Sequence, residues 1–429
     1  MRTLFIFLSL ATLVFAWRAL KLPLSILVSH LVSKKKAVLT KNDVADALKH
    51  SASFYRFPTE IELSSNGKQK NKIQGKVNYS FDVKLQRSME SFFQSYGPDY
   101  GAFVAIDPVS GRILSMVSFS KQNKIKENLA LRATFPSASV FKVVTAAAAI
   151  EEHKISADTL IPFNGRKHTL YKGQIFKNQM TRWTQFITLK DAFAHSINTV
   201  FGKIGVFTVG SHSLRDYAGR FGFNRKIIAD FSIEEGHALI PEDSWGLAES
   251  ASGFTRGNTM SPLQGALIAA SVANHGVIME PYMVQSIAKA DGSLLYSAVP
   301  KVAQVAIDPD TARVIRSLMK ETVMRGTSRS SFRGFFRKDF SFMDVGGKTG
   351  SLTGDSPPGK YDWFVGYADS GSQRIAFAAL TIHQKQWRVK SSYLARLAIE
   401  SYFRDSLRHP SKTVAKTVVK TVAKAVVKN

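Results

Sequence analysis

The sequence predicts an α+β fold: an antiparallel sheet flanked by N- and C-terminal helices, with an all-α insertion. Three observations predict it. Two alternating apolar runs, 102–106 and 113–117, stand close together early in the chain, and three strand candidates, 342–347, 363–368 and 375–382, stand close together late. The residues between them, 139–330, are mainly helical in pattern. One helical pattern precedes the first pair and another follows the last strand. With 429 residues, 45% of them apolar, the chain is long enough to bury a sizeable core.

Taken in order, residues 4–17 carry no charge. This stretch is short for a membrane span, which needs about 20 residues, and it suits a signal-peptide core. Val14-Phe15-Ala16 offers a cleavage site, while a second apolar run at 22–32 keeps an uncleaved anchor open. Residues 1–20 are therefore expected to be a signal peptide or a membrane anchor. Residues 21–77 read as a short basic juxtamembrane segment: residues 1–76 hold thirteen Lys and Arg against four acids. A helix is expected over 82–96, where Val83, Leu85, Met89, Phe92 and Phe93 fall near helical spacing. Asp107-Pro108-Val109-Ser110-Gly111 joins the first two strands with hairpin chemistry. A final helix is expected over 391–403 and closes a domain at 78–408. Residues 409–429 place a Lys at every fourth position from Lys412 to Lys428 with no acid, a repetitive tail expected to be solvated and disordered.

The formal net charge is +26, spread along the chain, so anionic partners such as a membrane surface or envelope polymers are expected. No nucleic-acid module is recognisable, so no nucleic acid is expected. The chain has no Cys, which excludes disulfides, thiol catalysis and Cys-based metal sites. Its ten His show no metal-binding signature, so neither metal nor cofactor is expected.

The chemistry starts at Ser139. Ser-x-x-Lys occurs six times, at Ser33, Ser65, Ser118, Ser139, Ser286 and Ser317, so the pattern alone decides nothing. Only Ser139 has a Pro just upstream, Pro136, and a long run of helix formers just downstream. A Ser at the opening of a helix with Lys142 one turn on places a hydroxyl and an amine on one face. That is the arrangement of a Ser nucleophile activated by a Lys. Ser196-Ile197-Asn198 and then Lys348-Thr349-Gly350-Ser351 come later in order, and Lys-Thr-Gly occurs once. The two glycines before Lys348 suggest an edge strand where a ligand backbone approaches closely. An ordered triple of this kind points to acyl transfer.

On these motifs the chain resembles the transpeptidase domain of penicillin-binding proteins, of the serine penicillin-recognising, β-lactamase-like superfamily, in its monofunctional form. The stretch 102–117, Met260-Ser261-Pro262-Leu263-Gln264 and Trp363-Phe364-Val365-Gly366-Tyr367 extend the resemblance over roughly residues 78 to 407. The resemblance implies that Ser139 is acylated and Lys142 is the base. It implies that Ser196 bridges the two lysines and relays a proton, and that Lys348 supplies charge. Asn198 would bind the substrate's peptide carbonyl, Thr349, Gly350 and Ser351 the terminal carboxylate, and the backbone N–H groups of Ser139 and Ser351 the oxyanion. Two departures stand out: Ser351 replaces the usual Thr, and Ala138 replaces the usual Gly before the nucleophile, at a helix start that is not expected to demand Gly. His195 is expected to pack rather than act as a base.

The resemblance implies a D,D-transpeptidase that crosslinks peptidoglycan stem peptides and binds β-lactams covalently. It would act in the cell envelope, at the outer face of the cytoplasmic membrane or in the periplasm, among other wall-synthesis proteins. A D,D-carboxypeptidase, a β-lactamase and a non-catalytic β-lactam sensor or envelope scaffold are the alternatives.

Overall fold

The computed structural model describes residues 39–50, 57–64, 72–122, 125, 127–176 and 180–408. The expectations for residues 1–20 and 409–429, and Ser33 and Ser65, lie outside the described residues. Among the described residues no helix is long and apolar enough to cross a membrane.

Helix α1 (Lys41–His50) leads to strands β1 (Glu60–Ser64) and β2 (Lys72–Tyr79). Helix α2 (Val83–Tyr96) begins where Asp82 accepts the Leu85 N–H at 2.8 Å and ends on Gly97 at φ 51°. Strands β3 (Tyr100–Ile106) and β4 (Ile113–Ser120) form the expected hairpin. Its turn closes because the Asp107 carboxylate accepts the Val109 N–H at 3.0 Å. The middle of the chain supplies α3 (Lys142–Glu151), α4 (Leu189–Ala194), α5 (Asn198–Ile204), α6 (Ser244–Ser252) and α7 (Pro262–Ala273). Strands β5 (Val284–Ala288) and β6 (Leu294–Ser297) come next, then α8 (Pro309–Met324). Strands β7 (Asp344–Asp355), β8 (Pro358–Asp369) and β9 (Arg374–His383) and helix α9 (Ser391–Arg408) end the fold.

The central sheet has five antiparallel strands in the order β7-β8-β9-β3-β4, so β7 is an edge. Both faces are covered. Phe103, Phe364 and Phe377 point into a core shared with α2 and α9. Ala102, Val104, Trp363, Val365 and Leu380 point into the larger core, shared with α3 and α7. Double coverage explains why these strands are buried residue after residue. Helix α7 is buried all round because it lies between sheet and insertion. A Cβ built on its Gly265 would lie 3.1 Å from the Ala378 Cβ, so the glycine sets the helix close to the strands.

Three features differ from the sequence reading. The segment assigned to 21–77 is not a separate piece where it is described: β1 and β2 pair with β5 and β6 into a second sheet, order β1-β2-β5-β6. Partners about two hundred residues away carry no local signal. The insertion, mainly helical as its pattern implies, also contains a short hairpin, Leu160–Phe163 with Gln185–Thr188. The expected strands stop at 347 and resume at 363, yet β7 runs to Asp355 and β8 starts at Pro358, because each residue finds its ladder partner opposite.

Candidate active site

The chain enters α3 through one 3-10 turn, Ala138–Phe141, which carries Ser139. That turn is pinned from behind. Phe135 and Pro136 pair with Met260 and Thr259, and the Trp363 indole N–H donates to the Pro136 carbonyl at 2.9 Å. Ala138 sits at φ 48°, in the left-handed region. This corrects the expectation that the helix start makes no demand for Gly: the demand exists, and Ala meets it at some steric cost. Two glycines leave the room. A Cβ on Gly253 would lie 2.0 Å from the Ala138 carbonyl oxygen, and one on Gly350 would lie 3.3 Å from the Ala138 Cβ.

Lys142 is fully buried under Ser139. Its Nζ lies 2.9 Å from Ser139 Oγ and 2.7 Å from Asn198 Oδ1, and it also donates to the Ser252 carbonyl. That carbonyl is presented by the C-terminus of α6, which stops at Gly253 in the left-handed conformation. Burial drives the Lys142 amine well below its ordinary range, and the Lys348 ammonium pushes the same way. No carboxylate touches it among the hydrogen bonds of the described residues, so nothing counteracts the burial.

Lys348 comes from the edge strand β7, opposite Val365 of β8. It too is fully buried, and its Nζ donates to Ser196 Oγ at 2.8 Å and to the Thr349 carbonyl at 2.9 Å. Burial lowers it to about 7. Ser196 lies in the turn between α4 and α5 at φ 55°, a strained conformation for a non-glycine residue. Asn198 opens α5, and its Nδ2 donates to the His168 carbonyl at 2.9 Å, which turns its oxygen toward Lys142. The two lysines are thus held by different groups, Lys142 by Asn198 and Lys348 by Ser196. The expected single Ser196 bridge is half present in this geometry.

These residues line a cavity of about 380 Å³ that includes Ser139, Ser196, Asn198, Thr349, Gly350 and Ser351. Every residue expected at the site is therefore either on this wall or, for Lys142 and Lys348, hydrogen-bonded to it. The competing Ser-x-x-Lys serines are elsewhere. Ser118 is in β4 and accepts the Leu129 N–H, Ser286 is in β5, and Ser317 in α8 donates to the Val314 carbonyl. His195 faces a different cavity.

Among the wall residues that the sequence reading did not name, three shape the site: Thr327, Gly253 and Asp362. Thr327 Oγ1 is 2.6 Å from Thr349 Oγ1, at one end of the cavity. Its turn is tied to the Ser196 side because the Thr327 N–H donates to the Ala194 carbonyl at 3.1 Å. Only a glycine fits before it: a Cβ on Gly326 would lie 2.2 Å from that same oxygen. Gly253, already described, closes the Ser139 side. Asp362, buried on β8 opposite Ser351, accepts the Ser391 N–H at 2.7 Å at the start of α9, and burial raises its carboxyl to about 6. A Gly-Thr pair and a Gly after a helix were visible in the sequence, but nothing there set them apart from ordinary turns. Among the described residues no cluster of His, Asp and Glu is placed to hold a metal ion.

A comparison of the whole chain with known families matches the penicillin binding protein transpeptidase domain over residues 101–399, more than half of the chain. Peptidoglycan D,D-transpeptidase PbpA of Mycolicibacterium smegmatis is 26% identical over 341 residues, 71% of this chain and 67% of that protein. Stage V sporulation protein D of Bacillus subtilis is 24% identical over 84% of this chain and 58% of its own length. Among solved structures, the D,D-transpeptidase domain of a peptidoglycan glycosyltransferase from Eggerthella lenta superposes with a TM-score of 0.64 at 22% identity, covering 83% of this chain and 97% of that one. The penicillin G acyl-enzyme of penicillin-binding protein A from Mycobacterium tuberculosis gives 0.61 at 24% identity, covering 77% and 81%. These likenesses establish the fold.

Proposed function

The chain belongs to the penicillin-binding protein transpeptidase family, and from that membership we propose that it is a peptidoglycan D,D-transpeptidase. Ser139 would form an acyl-enzyme with stem peptides ending in D-Ala-D-Ala, and β-lactams would acylate the same oxygen. One observation carries the mechanism: the set of partners around Lys142 Nζ. Asn198 Oδ1 and the Ser252 carbonyl can only accept hydrogen bonds. A neutral amine has two N–H groups and one lone pair. With both N–H groups spent on those two acceptors, the lone pair is left for the Ser139 hydroxyl. Burial, with the Lys348 charge beside it, favours the neutral amine, and Lys142 is the base that takes the Ser139 proton.

Attack by Ser139 Oγ on the penultimate D-Ala carbonyl breaks the terminal peptide bond. Its oxyanion is received by the backbone N–H groups of Ser139 and Ser351. Ser196, held by Lys348, passes its hydroxyl proton to the departing amine and regains one from Lys142, which returns to the neutral amine. Thr349 and Ser351, with Gly350 giving close backbone approach, hold the terminal carboxylate near Lys348. The acyl group then passes to an acceptor amine. The nitrogen–carbon bond forms, the bond to Ser139 Oγ breaks, and the amine proton returns to Ser139.

A D,D-carboxypeptidase or β-lactamase would pass the acyl group to water, and a sensor would keep it. Stem peptide incubated with an amine acceptor separates these outcomes by mass spectrometry: crosslinked product, free D-Ala alone, or a stable adduct. The setting is the cell envelope. Attachment to its membrane would be made by residues 1–20 and reinforced by the basic segment and the Lys-rich tail. Deleting residues 409–429 should then weaken sedimentation with anionic vesicles, and unchanged sedimentation would remove the tail from this role.

A further inference from the structure

A second cavity, of about 630 Å³, adjoins the first, and Thr327 lines both. Its wall carries His195, Arg325, Arg329 and Arg333, and no acidic residue. Phe332 and Phe336 add apolar surface. Arg325 already has carboxylate partners. Glu321 pairs with Arg325 at 2.6 Å, and Asp191 reaches the same guanidinium at 3.5 Å. Arg329 and Arg333 have no ion pair among the described residues, and both are exposed. Unpaired guanidiniums around a concave wall suit a planar anion held in two-point contact.

The position gives this chemistry its meaning. The terminal carboxylate of the donor is placed by Thr349 and Ser351, and Thr349 touches Thr327. The leaving residue therefore lies against the shared wall. An incoming amine must attack the same carbonyl carbon from the place the leaving amine vacates. Thr327 lines both cavities, so a strand that continues past it has the room of the second cavity to enter. Water needs no such room.

We propose that the second cavity seats the acceptor strand, and that Arg329 and Arg333 select an acceptor bearing a free carboxylate near its attacking amine. This deepens the transpeptidase reading and rests on it. The bonds made and broken are those of the acyl transfer already given, with no further reactant.

The test is a partition experiment on the full-length protein. A small D-Ala thioester donor forms the acyl-enzyme, and peptide acceptors carrying either a carboxylate or a carboxamide beside the amine compete with water. The ratio of aminolysis to hydrolysis normalises each variant to its own acylation. The wild type should favour the carboxylate acceptor by about tenfold, the worth of one charge-assisted hydrogen bond. Arg329→Gln with Arg333→Gln should abolish that preference, and Arg329→Lys with Arg333→Lys should restore part of it. A wild type that crosslinks both acceptors equally, or a Gln double variant that keeps the preference, overturns the assignment and leaves the transpeptidase reading standing. A wild type that only hydrolyses the thioester overturns both.

Discussion

Two cationic regions lie side by side in this molecule and use charge in opposite ways. Around the first cavity, Lys142 and Lys348 are fully buried and their amines are hydrogen-bonded to neutral oxygens. Around the second, Arg329 and Arg333 are exposed and unpaired among the described residues. Burial without a carboxylate costs an ammonium its proton, which converts a lysine into a base. An exposed guanidinium without an ion pair keeps its fork of N–H donors free, which suits it to receive an anion. A buried cation does chemistry; an exposed one recognises.

The contrast can be broken at several points. Ser139→Ala should abolish covalent labelling by a fluorescent penicillin, and Lys142→Ala should slow it by about 10³-fold, in the range of a lost general base. Labelling is followed on gels against time. An Arg329→Ala variant should label within about twofold of the wild-type rate, because that guanidinium is outside the first cavity and is exposed. If Lys142→Ala and Arg329→Ala prove equal, the division between the two regions is wrong.

Gly253→Ala comes next. Its Cβ would press on the Ala138 carbonyl and sit at φ 67°, so the nucleophile turn must shift. A displacement of about 1 Å there should slow acylation by about 10²-fold while the fold persists. Circular dichroism and the labelling rate together check this. Acylation at the wild-type rate would show that the turn is not held by that packing.

The smallest effect is thermodynamic. Folded Lys348 releases its proton near pH 7, whereas the unfolded chain keeps it to the ordinary value of 10.5. Between these values the unfolded state binds more protons, so stability rises with pH from about 7 upward. Lys142 acts in the same sense. The raised carboxyls of Asp230 and Asp362 work oppositely, but only up to about pH 6. Tm should therefore increase from pH 7 to 9, and Lys348→Met should flatten the increase. Arg329→Gln should leave it as it was, since that side chain is exposed and does not line the first cavity. An unchanged slope in Lys348→Met would mean that the buried amine keeps its proton.

How much of the molecule was legible in the sequence depends on distance along the chain. The five strands of the central sheet were legible because each has its own apolar run, and the helix 82–96 because Leu85, Met89 and Phe93 share its buried face. Ser139 was separable from its rivals because Pro136 and the run after Val143 mark a helix start. What stayed hidden depended on contacts between remote segments. The second sheet needs β2 to meet β5. The Ser252 carbonyl reaches Lys142 only because α6 ends where it does. Thr327 matters only because its turn docks on Ala194, in another helix. The demand for a left-handed residue at Ala138 is likewise made by the folded site, not by the local sequence.

The central claim is that Ser139 carries the acyl group with Lys142 as its base. Wild-type protein and Ser139→Ala, each incubated with penicillin G, digested and mapped by mass spectrometry, test it most directly. A penicilloyl adduct is expected on the peptide containing Ser139 in the wild type, and no adduct in the variant. An adduct on another residue, or equal labelling of Ser139→Ala, would contradict it.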